Sequence, residues 1–264
     1  MKLRAFVVSL FALGSCATHE KPPVTAVSDL APTGKLRAAI NLGNPMLASR
    51  DAAGQPRGVS VDLARELARR LGVPVELTTF DAAGKVVEAG KTGAWDIAFV
   101  ALDPARAAEI AQSPPYVTIE GAYLVRENSP IRSNDEVDRG GNRIVVGRAS
   151  AYDLFLSRSI KQAQIVRSPT SPTVVDVFVS GNYEVAAGVK QQLLADQQRF
   201  PGLRLLPGRF MVINQAMASQ RNREAGARYV REFIEEMKRS GFVARALERH
   251  GIDGASVAAA GEPR

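Results

Sequence analysis

Short apolar segments alternate with amphipathic ones along the chain, and this order constrains the fold more than any other sequence feature. Ile97–Ala101 is apolar at all five positions, which is typical of a strand buried on both faces. Val59–Leu71 has apolar residues at helical spacing and is followed by Gly72, a common helix stop. The order strand, helix, strand, helix, strand predicts an α/β fold in which helices connect parallel strands.

Arg106 lies a few residues beyond the Ile97–Ala101 strand, after a turn marked by Pro104. Ligands collect at the carboxyl ends of strands in α/β sheets, and a guanidinium group there is suited to bind a carboxylate. Asp103 precedes Arg106 by three residues, so an ion pair between the two across the turn is the structural alternative. The sequence therefore leaves two roles for Arg106, ligand binding and local ion pairing.

The N-terminal residues have the composition of an export signal. A basic start precedes the apolar run 5–13, which is too short to span a bilayer as a helix. Residues 13–16 follow with the sequence Leu-Gly-Ser-Cys, which resembles a bacterial lipobox, and Cys16 is the one cysteine in the chain. We predict a signal peptide at 1–15 and lipidation of Cys16. Plain secretory cleavage after Ala17 is the alternative, and both interpretations export the protein.

The two ends of the remaining chain lack regular apolar spacing. Residues 16–33 are polar and contain three prolines, which predicts a tether. Residues 254–264 are rich in small residues and follow the last predicted helix. They are predicted to form a flexible tail.

The formal net charge is +7, but the basic residues are dispersed and mixed with acidic ones. This pattern is typical of a solvated surface and argues against nucleic-acid binding. The two histidines, His19 and His250, have no partner in sequence that would complete a catalytic or metal site, and neither a Gly-x-Ser-x-Gly motif nor a phosphate loop is present. We therefore expect no metal, no cofactor and no catalytic residue.

Six short segments with characteristic residues follow one another along the chain. They are Gly-Val-Ser-Val-Asp-Leu-Ala at 58–64, Trp-Asp-Ile-Ala at 95–98, Asp-Pro-Ala-Arg at 103–106, Ser-Pro-Pro-Tyr at 113–116, Gly-Asn-Tyr-Glu-Val-Ala at 181–186 and Gly-Phe at 241–242. At these spacings the set resembles the family 3 periplasmic solute-binding proteins, the receptors of polar amino-acid ABC importers. The resemblance covers about residues 34–251.

This resemblance implies two α/β lobes, each a mixed, mostly parallel sheet flanked by helices, joined by two hinge crossovers. Lobe one would comprise residues 34–124 and 209–253, and lobe two residues 125–208. The crossovers would fall near 124–125 and 207–211. The ligand would lie between the lobes, which would close around it by hinge motion.

The resemblance also implies a carboxylate site. Arg106 matches the arginine that holds the ligand α-carboxylate in amino-acid-binding members of the family. Asp103 stands where those members have a threonine, so an acid replaces a hydroxyl donor. Ser150 stands in the helix-start segment that binds the same carboxylate, and here it could equally serve only as a helix N-cap.

Three further positions are candidates with alternatives. Lys190 lies at or beside the position of the family's acid for the ligand ammonium group, so it either faces the cleft, favouring an acidic or neutral ligand group, or points to solvent. Asn41 lies in the first loop, where the family often has an aromatic residue that stacks on the ligand. Tyr116 is a candidate aromatic wall that could equally belong to the core.

We therefore predict an exported substrate-binding receptor for a small anionic or zwitterionic solute, either an amino acid or a related organic acid. Its partner would be an ABC permease in the inner membrane, and we expect a periplasmic monomer anchored through Cys16. One alternative is a sensory or accessory solute receptor without a dedicated importer. The other is a cleft enzyme resembling cyclohexadienyl dehydratase, with Glu120 or Asp103 as its acid.

Overall fold

The structure, a computed structural model, describes residues 21–261, so the predicted signal peptide and Cys16 lie outside the described residues. The strands are β1 (Leu36–Asn41), β2 (Ser49–Arg50), β3 (Pro56–Arg57), β4 (Val75–Phe80), β5 (Ile97–Ala101), β6 (Ile110–Arg126), β7 (Arg143–Gly147), β8 (Gln164–Ser168), β9 (Val185–Val189), β10 (Leu203–Leu205), β11 (Met211–Gln220) and β12 (Ser256–Val257). The helices are α1 (Val24–Leu30), α2 (Val59–Leu71), α3 (Ala83–Lys91), α4 (Pro104–Ala107), α5 (Ala151–Ser159), α6 (Val174–Ser180), α7 (Lys190–Arg199), α8 (Glu224–Arg239) and α9 (Phe242–Arg249).

The main sheet has the strand order β4-β1-β5-β11-β6-β9-β7-β8, and β10 and β12 add to β6. β1 pairs in parallel with β4 and β5, and β7 pairs in parallel with β8 and β9. β11 runs antiparallel to β5 and β6, and β6 runs antiparallel to β9. The fold is therefore α/β with helices flanking a mixed sheet, which confirms the fold class predicted from the strand and helix order.

The longest strand, β6, carries the chain from one half of the sheet to the other. Residues 110–121 of β6 pair with β11, and residues 121–126 pair with β9 and β10. A Cβ atom on Gly121 would lie 2.7 Å from the Met211 side chain, so the close approach at this crossing requires glycine. We call β4, β1, β5 and β11 lobe one, together with the helices α1–α4, α8 and α9. We call β9, β7, β8 and β10 lobe two, together with α5, α6 and α7.

Residues 24–30, inside the segment predicted to be a tether, form the helix α1, which packs on α8. Ala26 and Leu30 lie about one helical turn apart and are both buried. The carboxylate of Asp29 accepts a hydrogen bond of 2.9 Å from the backbone N–H of Gly226 in the first turn of α8. These contacts hold residues 24–30 against lobe one, although the composition of this segment predicts an extended tether.

The segment predicted as a flexible tail also packs on lobe one. β12 pairs with β6, and Ala258, which follows it, is buried. The Lys238 ammonium group donates a hydrogen bond of 2.9 Å to the carbonyl oxygen of Ala259. Residues 256–259 therefore belong to the packed structure.

Candidate functional site

The carboxyl ends of β1, β5 and β9 meet at a cavity of about 40 Å³ between the two lobes. The lining residues come from both lobes and are Asn41, Gly43, Asn44, Ala83, Ala101, Arg106, Ser150, Ala151, Tyr152, Ser171, Val189, Ile213 and Gln215. Of the residues predicted from the sequence, Asn41, Arg106 and Ser150 lie in this lining. Asp103, Tyr116 and Lys190 lie outside it.

The Arg106 side chain crosses from lobe one to lobe two. The short helix α4 places it just beyond β5, and only 3% of Arg106 is exposed. Nη1 donates a hydrogen bond of 2.9 Å to the carbonyl oxygen of Ala101, and Nη2 donates one of 2.9 Å to the carbonyl oxygen of Ala149 in lobe two. The guanidinium is thus held in a fixed orientation at the wall of the cavity.

Burial makes Arg106 an unusual cation. Desolvation lowers the pKa of its guanidinium to about 10, and the charge of Asp103 opposes part of that shift. Because this pKa is far above 7, Arg106 is protonated at neutral pH. Within residues 21–261 no carboxylate forms an ion pair with it, and its side-chain hydrogen bonds go to the neutral carbonyl groups of Ala101 and Ala149.

Asp103 bonds with a residue other than Arg106. Its carboxylate accepts hydrogen bonds from Arg158 at 2.8 and 3.2 Å, and a third of 2.9 Å from the backbone N–H of Ala105 at the start of α4. Arg158 lies near the end of α5 in lobe two, so this ion pair joins the lobes. The alternative of an Arg106–Asp103 ion pair was therefore wrong, because Asp103 caps its own helix and faces Arg158.

The position of Ser150 is compatible with both roles that the sequence left open. It is the N-cap of α5, where its Oγ accepts a hydrogen bond of 3.0 Å from the backbone N–H of Asp153, and it also lines the cavity. The preceding Ala149 has a φ of 54°, in the left-handed region. Its backbone N–H donates a 2.8 Å hydrogen bond to the Asp153 carboxylate, which holds this unusual turn.

The two lobes also come close where α3 meets the turn before α5. A Cβ atom on Gly84 would lie 2.6 Å from the Cβ atom of Ala149. Glycine at position 84 therefore allows the Ala149 turn, with its carbonyl group, to reach Arg106.

Lys190 lies outside the cavity lining. As the first residue of α7 it turns toward β6, where its Nζ donates a hydrogen bond of 2.9 Å to Glu120. Arg209 donates a second hydrogen bond, of 2.7 Å, to the other oxygen of the same carboxylate. Both hydrogen bonds hold the pKa of Glu120 below its usual value, so Glu120 is charged and paired. Lys190 was predicted either to face the cleft or to point to solvent; in the structure it pairs with Glu120, outside the lining of this cavity.

Tyr116 belongs to the core of lobe one rather than to the wall of the cleft. Its side chain is fully buried, its ring meets Phe99 edge to face at 6.1 Å, and its hydroxyl lies 3.3 Å from the Ser60 Oγ. Burial raises the pKa of this hydroxyl. Of the two roles predicted for Tyr116, wall of the cleft or part of the core, its position fits the core.

Gln215 and Ser171 are polar lining residues that the sequence reasoning missed. Gln215 is the cross-strand partner of Ala101, which brings it next to Arg106. It is a polar residue in the otherwise mainly apolar central part of β11. This contrast is the sequence feature that could have identified it as a site residue. The Ser171 hydroxyl lies near the buried hydroxyl of Tyr152, as that of Ser150 does, and burial raises the pKa of this tyrosine. No sequence pattern distinguished Ser171 from an ordinary helix cap.

Two α/β lobes with a polar cavity between them, at the carboxyl ends of their strands, define a two-lobed binding protein. Residues 36–252 match the bacterial extracellular solute-binding proteins, family 3, and the chain belongs to this family. This confirms the family resemblance found in the sequence. Comparison with curated proteins gave no significant match.

Solved structures share the fold at low sequence identity. ArgBP from T. maritima is 20% identical, with a TM-score of 0.73 over 85% of this chain and 98% of that chain. The solute receptor for L-cysteine of Neisseria gonorrhoeae is 23% identical, with a TM-score of 0.73 over 84% and 92%. An ancestral amino acid-binding protein, a precursor of cyclohexadienyl dehydratase, is 19% identical, with a TM-score of 0.71 over 84% and 97%. Within the described range, no helix has the length and apolar character needed to cross a membrane.

Proposed function

We propose that this chain is the exported substrate-binding receptor of an ABC importer and binds a small carboxylate-bearing solute between its lobes. The observation that carries the proposal is the Arg106 guanidinium, which is buried at the cavity wall without an ion-pair partner among the described residues. Taking a cation out of water is costly unless an opposite charge compensates it. A ligand carboxylate supplies that charge.

Ser150 supports the same site from lobe two. Its Oγ accepts the capping hydrogen bond from the Asp153 N–H, and its hydroxyl lies beside that of Tyr152, so the two hydroxyls form a polar part of the cavity wall that a ligand carboxylate can contact. A carboxylate held by Arg106 in lobe one and Ser150 in lobe two would couple ligand binding to lobe closure. Family membership supports the importer as the partner.

The Asp103–Arg158 ion pair between the lobes is expected to aid closure only weakly. Replacing Arg158 with glutamine should lower ligand affinity by no more than about fivefold, because solvent reaches the Arg158 side chain, which is 48% exposed, and the Asp103 carboxylate, 5% exposed, keeps its hydrogen bond from the Ala105 N–H; such pairs contribute about 0–1 kcal/mol. Calorimetry on the wild type, Arg158→Gln, Asp103→Asn and the double variant measures the coupling. A loss of about 100-fold for Arg158→Gln would contradict this, because Arg158 would then contact the ligand itself.

The acids that a cleft enzyme would need are engaged elsewhere. Glu120 is bound by Lys190 and Arg209, and Asp103 is bound by Arg158. Neither carboxylate lines the cavity. This arrangement favours binding without turnover.

The N-terminal residues support export of the protein and its anchoring in a membrane. The basic and apolar start followed by Leu-Gly-Ser-Cys at 13–16 supports a signal peptide and a lipid anchor on Cys16. The receptor would then act as a monomer at the outer surface of the inner membrane, beside its permease.

Comparing an acid with its neutral derivative tests the proposal. Native mass spectrometry of the purified protein identifies a retained solute, and calorimetry measures its affinity beside that of its methyl ester. We expect the ester to bind at least about tenfold more weakly, because it leaves the Arg106 charge uncompensated. Retention of a solute without a carboxylate, bound as tightly as any acid, would contradict the proposal.

A further inference from the structure

Gln215 lines the cavity between the lobes with a side chain that has no hydrogen-bond partner in the protein. Only 6% of the residue is exposed. Within residues 21–261 its carboxamide neither donates nor accepts a hydrogen bond, and its polar atoms are not sealed from the cavity. Buried polar side chains are nearly always satisfied, so this carboxamide points to a hydrogen-bonding group of a molecule that enters the cavity.

The pairing of β11 with β5 directs the Gln215 side chain into the cavity. Gln215 lies opposite Ala101, and the next pair carries a hydrogen bond of 2.7 Å from the Leu102 N–H to the Asn214 carbonyl oxygen. Gln215 and Ala101 are therefore a non-hydrogen-bonded pair, in which the side chains approach each other most closely and share one face of the sheet. Ala101 lines the cavity, and so does Ile213, two residues before Gln215 on the same strand.

A second glutamine near Arg106 is already engaged. The Gln112 Nε2 donates a hydrogen bond of 3.1 Å to the carbonyl oxygen of Ala101, which also accepts the 2.9 Å hydrogen bond from Arg106 Nη1. Gln112 thus helps to fix the carbonyl group that orients the guanidinium. Gln215, by contrast, keeps both its donor and its acceptor for a ligand.

Arg106 leaves part of a carboxylate unsatisfied. Its Nη1 and Nη2 atoms each use an N–H group on a backbone carbonyl, those of Ala101 and Ala149. An ionised carboxylate accepts up to about four hydrogen bonds, so a buried one needs donors beside those that Arg106 retains. The amide of Gln215 supplies such a donor without a charge of its own. A glutamate at this position would instead pair with Arg106 and take the place of the ligand carboxylate.

The other end of the cleft disfavours a carboxylate. The cavity that adjoins this one is lined by Asp196 of α7. Arg199 pairs with Asp196 at 2.6 Å and with Asp176 at 2.8 Å, so one cation serves two carboxylates and the net charge of the three side chains is negative. A ligand carboxylate is therefore favoured at the end of the cleft that Arg106 and Gln215 line.

We infer that Gln215 is a specificity-determining residue of the cleft, whose amide N–H donates a hydrogen bond to the ligand carboxylate that Arg106 binds. The inference rests on the proposed function of the same cleft. Both residues belong to lobe one, which thus presents a cation and a neutral donor to one carboxylate. Replacing the neutral donor by an acid would reverse the preference of the site.

Gln215→Leu removes the carboxamide and keeps a side chain of similar size. The probes are L-alanine, lactate and the solute that native mass spectrometry finds in the purified protein, each paired with its own primary amide. Calorimetry should show the affinity for the tightest-binding acid falling about tenfold in Gln215→Leu, because the carboxylate loses a charge-assisted hydrogen bond. Wild-type affinity for this acid in a folded Gln215→Leu protein would overturn the inference.

Gln215→Glu tests the same contact through charge. The new carboxylate would pair with Arg106 and repel the ligand carboxylate, so the affinity for the acid should fall at least about 100-fold and the ratio of acid to amide affinity at least about tenfold. Gln55→Glu, the same change at an exposed turn of lobe one, is the matched control and should keep the wild-type ratio. A wild-type ratio in folded Gln215→Glu would contradict the inference. Should this variant fail to fold, the acid affinity of Gln215→Leu decides the point.

The inference and the proposed function fail in different ways. Loss of acid binding in Arg106→Gln, together with wild-type binding in Gln215→Leu and Gln215→Glu, would overturn the role of Gln215 and leave the carboxylate receptor standing. If no carboxylate binds the wild type, both are overturned.

Discussion

Replacing Arg106 with glutamine is expected to lower the affinity for the carboxylate ligand by at least about 100-fold at neutral pH. The guanidinium is buried at the cavity wall, and removing one partner of a buried, hydrogen-bonded charge pair costs about 2–5 kcal/mol of binding free energy. Because the pKa of Arg106 is lowered only to about 10, the charge is present throughout the neutral range. Calorimetry with the retained solute measures the loss.

Two further variants separate the charge of Arg106 from its shape. Arg106→Lys retains a cation but loses the planar fork, so its affinity should lie between those of the wild type and Arg106→Gln. Arg65→Gln makes the same neutralising change on the exposed face of α2 and should bind as the wild type does. Wild-type affinity in a folded Arg106→Gln protein would show that the ligand carboxylate lies elsewhere.

Local sequence patterns predicted the parts of the fold that depend on interactions between residues close together in the chain. The apolar run Ile97–Ala101 is a strand in the middle of lobe one, and the turn after it does deliver Arg106 to the carboxyl end of the sheet. The helix α2 begins at Val59 and ends at Leu71 before Gly72, as its spacing predicts. By contrast, α1 was missed because its stability comes from packing on α8, a contact between distant parts of the chain.

The sequence could not predict the direction in which several side chains point. Lys190 sits at the start of α7, yet Glu120, 70 residues earlier in the chain, determines where its ammonium group points. Asp103 and Arg106 are three residues apart, but Asp103 faces Arg158 in the other lobe. Gln215 reaches the cavity through its pairing with Ala101 across β11 and β5. Each of these placements depends on the tertiary arrangement of strands and lobes.

Asp96 precedes β5 at the end away from the cavity, and its carboxylate ties together two distant arginines. It is fully buried and accepts hydrogen bonds from the Arg37 backbone N–H at 3.0 Å, from Arg37 Nε and Nη2 at 2.9 and 2.8 Å, and from Arg223 Nη1 at 2.6 Å. Burial alone would raise its pKa, but these hydrogen bonds prevail and hold the pKa of Asp96 below its usual value. The aspartate of the 95–98 segment therefore has a structural role in joining β1, β5 and the start of α8.

Asp96→Asn is expected to lower the free energy of unfolding by about 3 kcal/mol at pH 7, because it leaves two arginines without their buried counter-ion. Since the folded pKa of Asp96 is depressed, its stabilising effect is present above the ordinary aspartate pKa of about 4 and is lost as pH falls below that value. Urea unfolding at pH 7 and pH 3 should therefore show the difference between wild type and variant shrinking in acid. Asp253→Asn, at an exposed position, should have little effect at either pH. A difference that grew on acidification would contradict the depressed pKa, and weakened ligand binding by folded Asp96→Asn would contradict the separation of this cluster from the cleft.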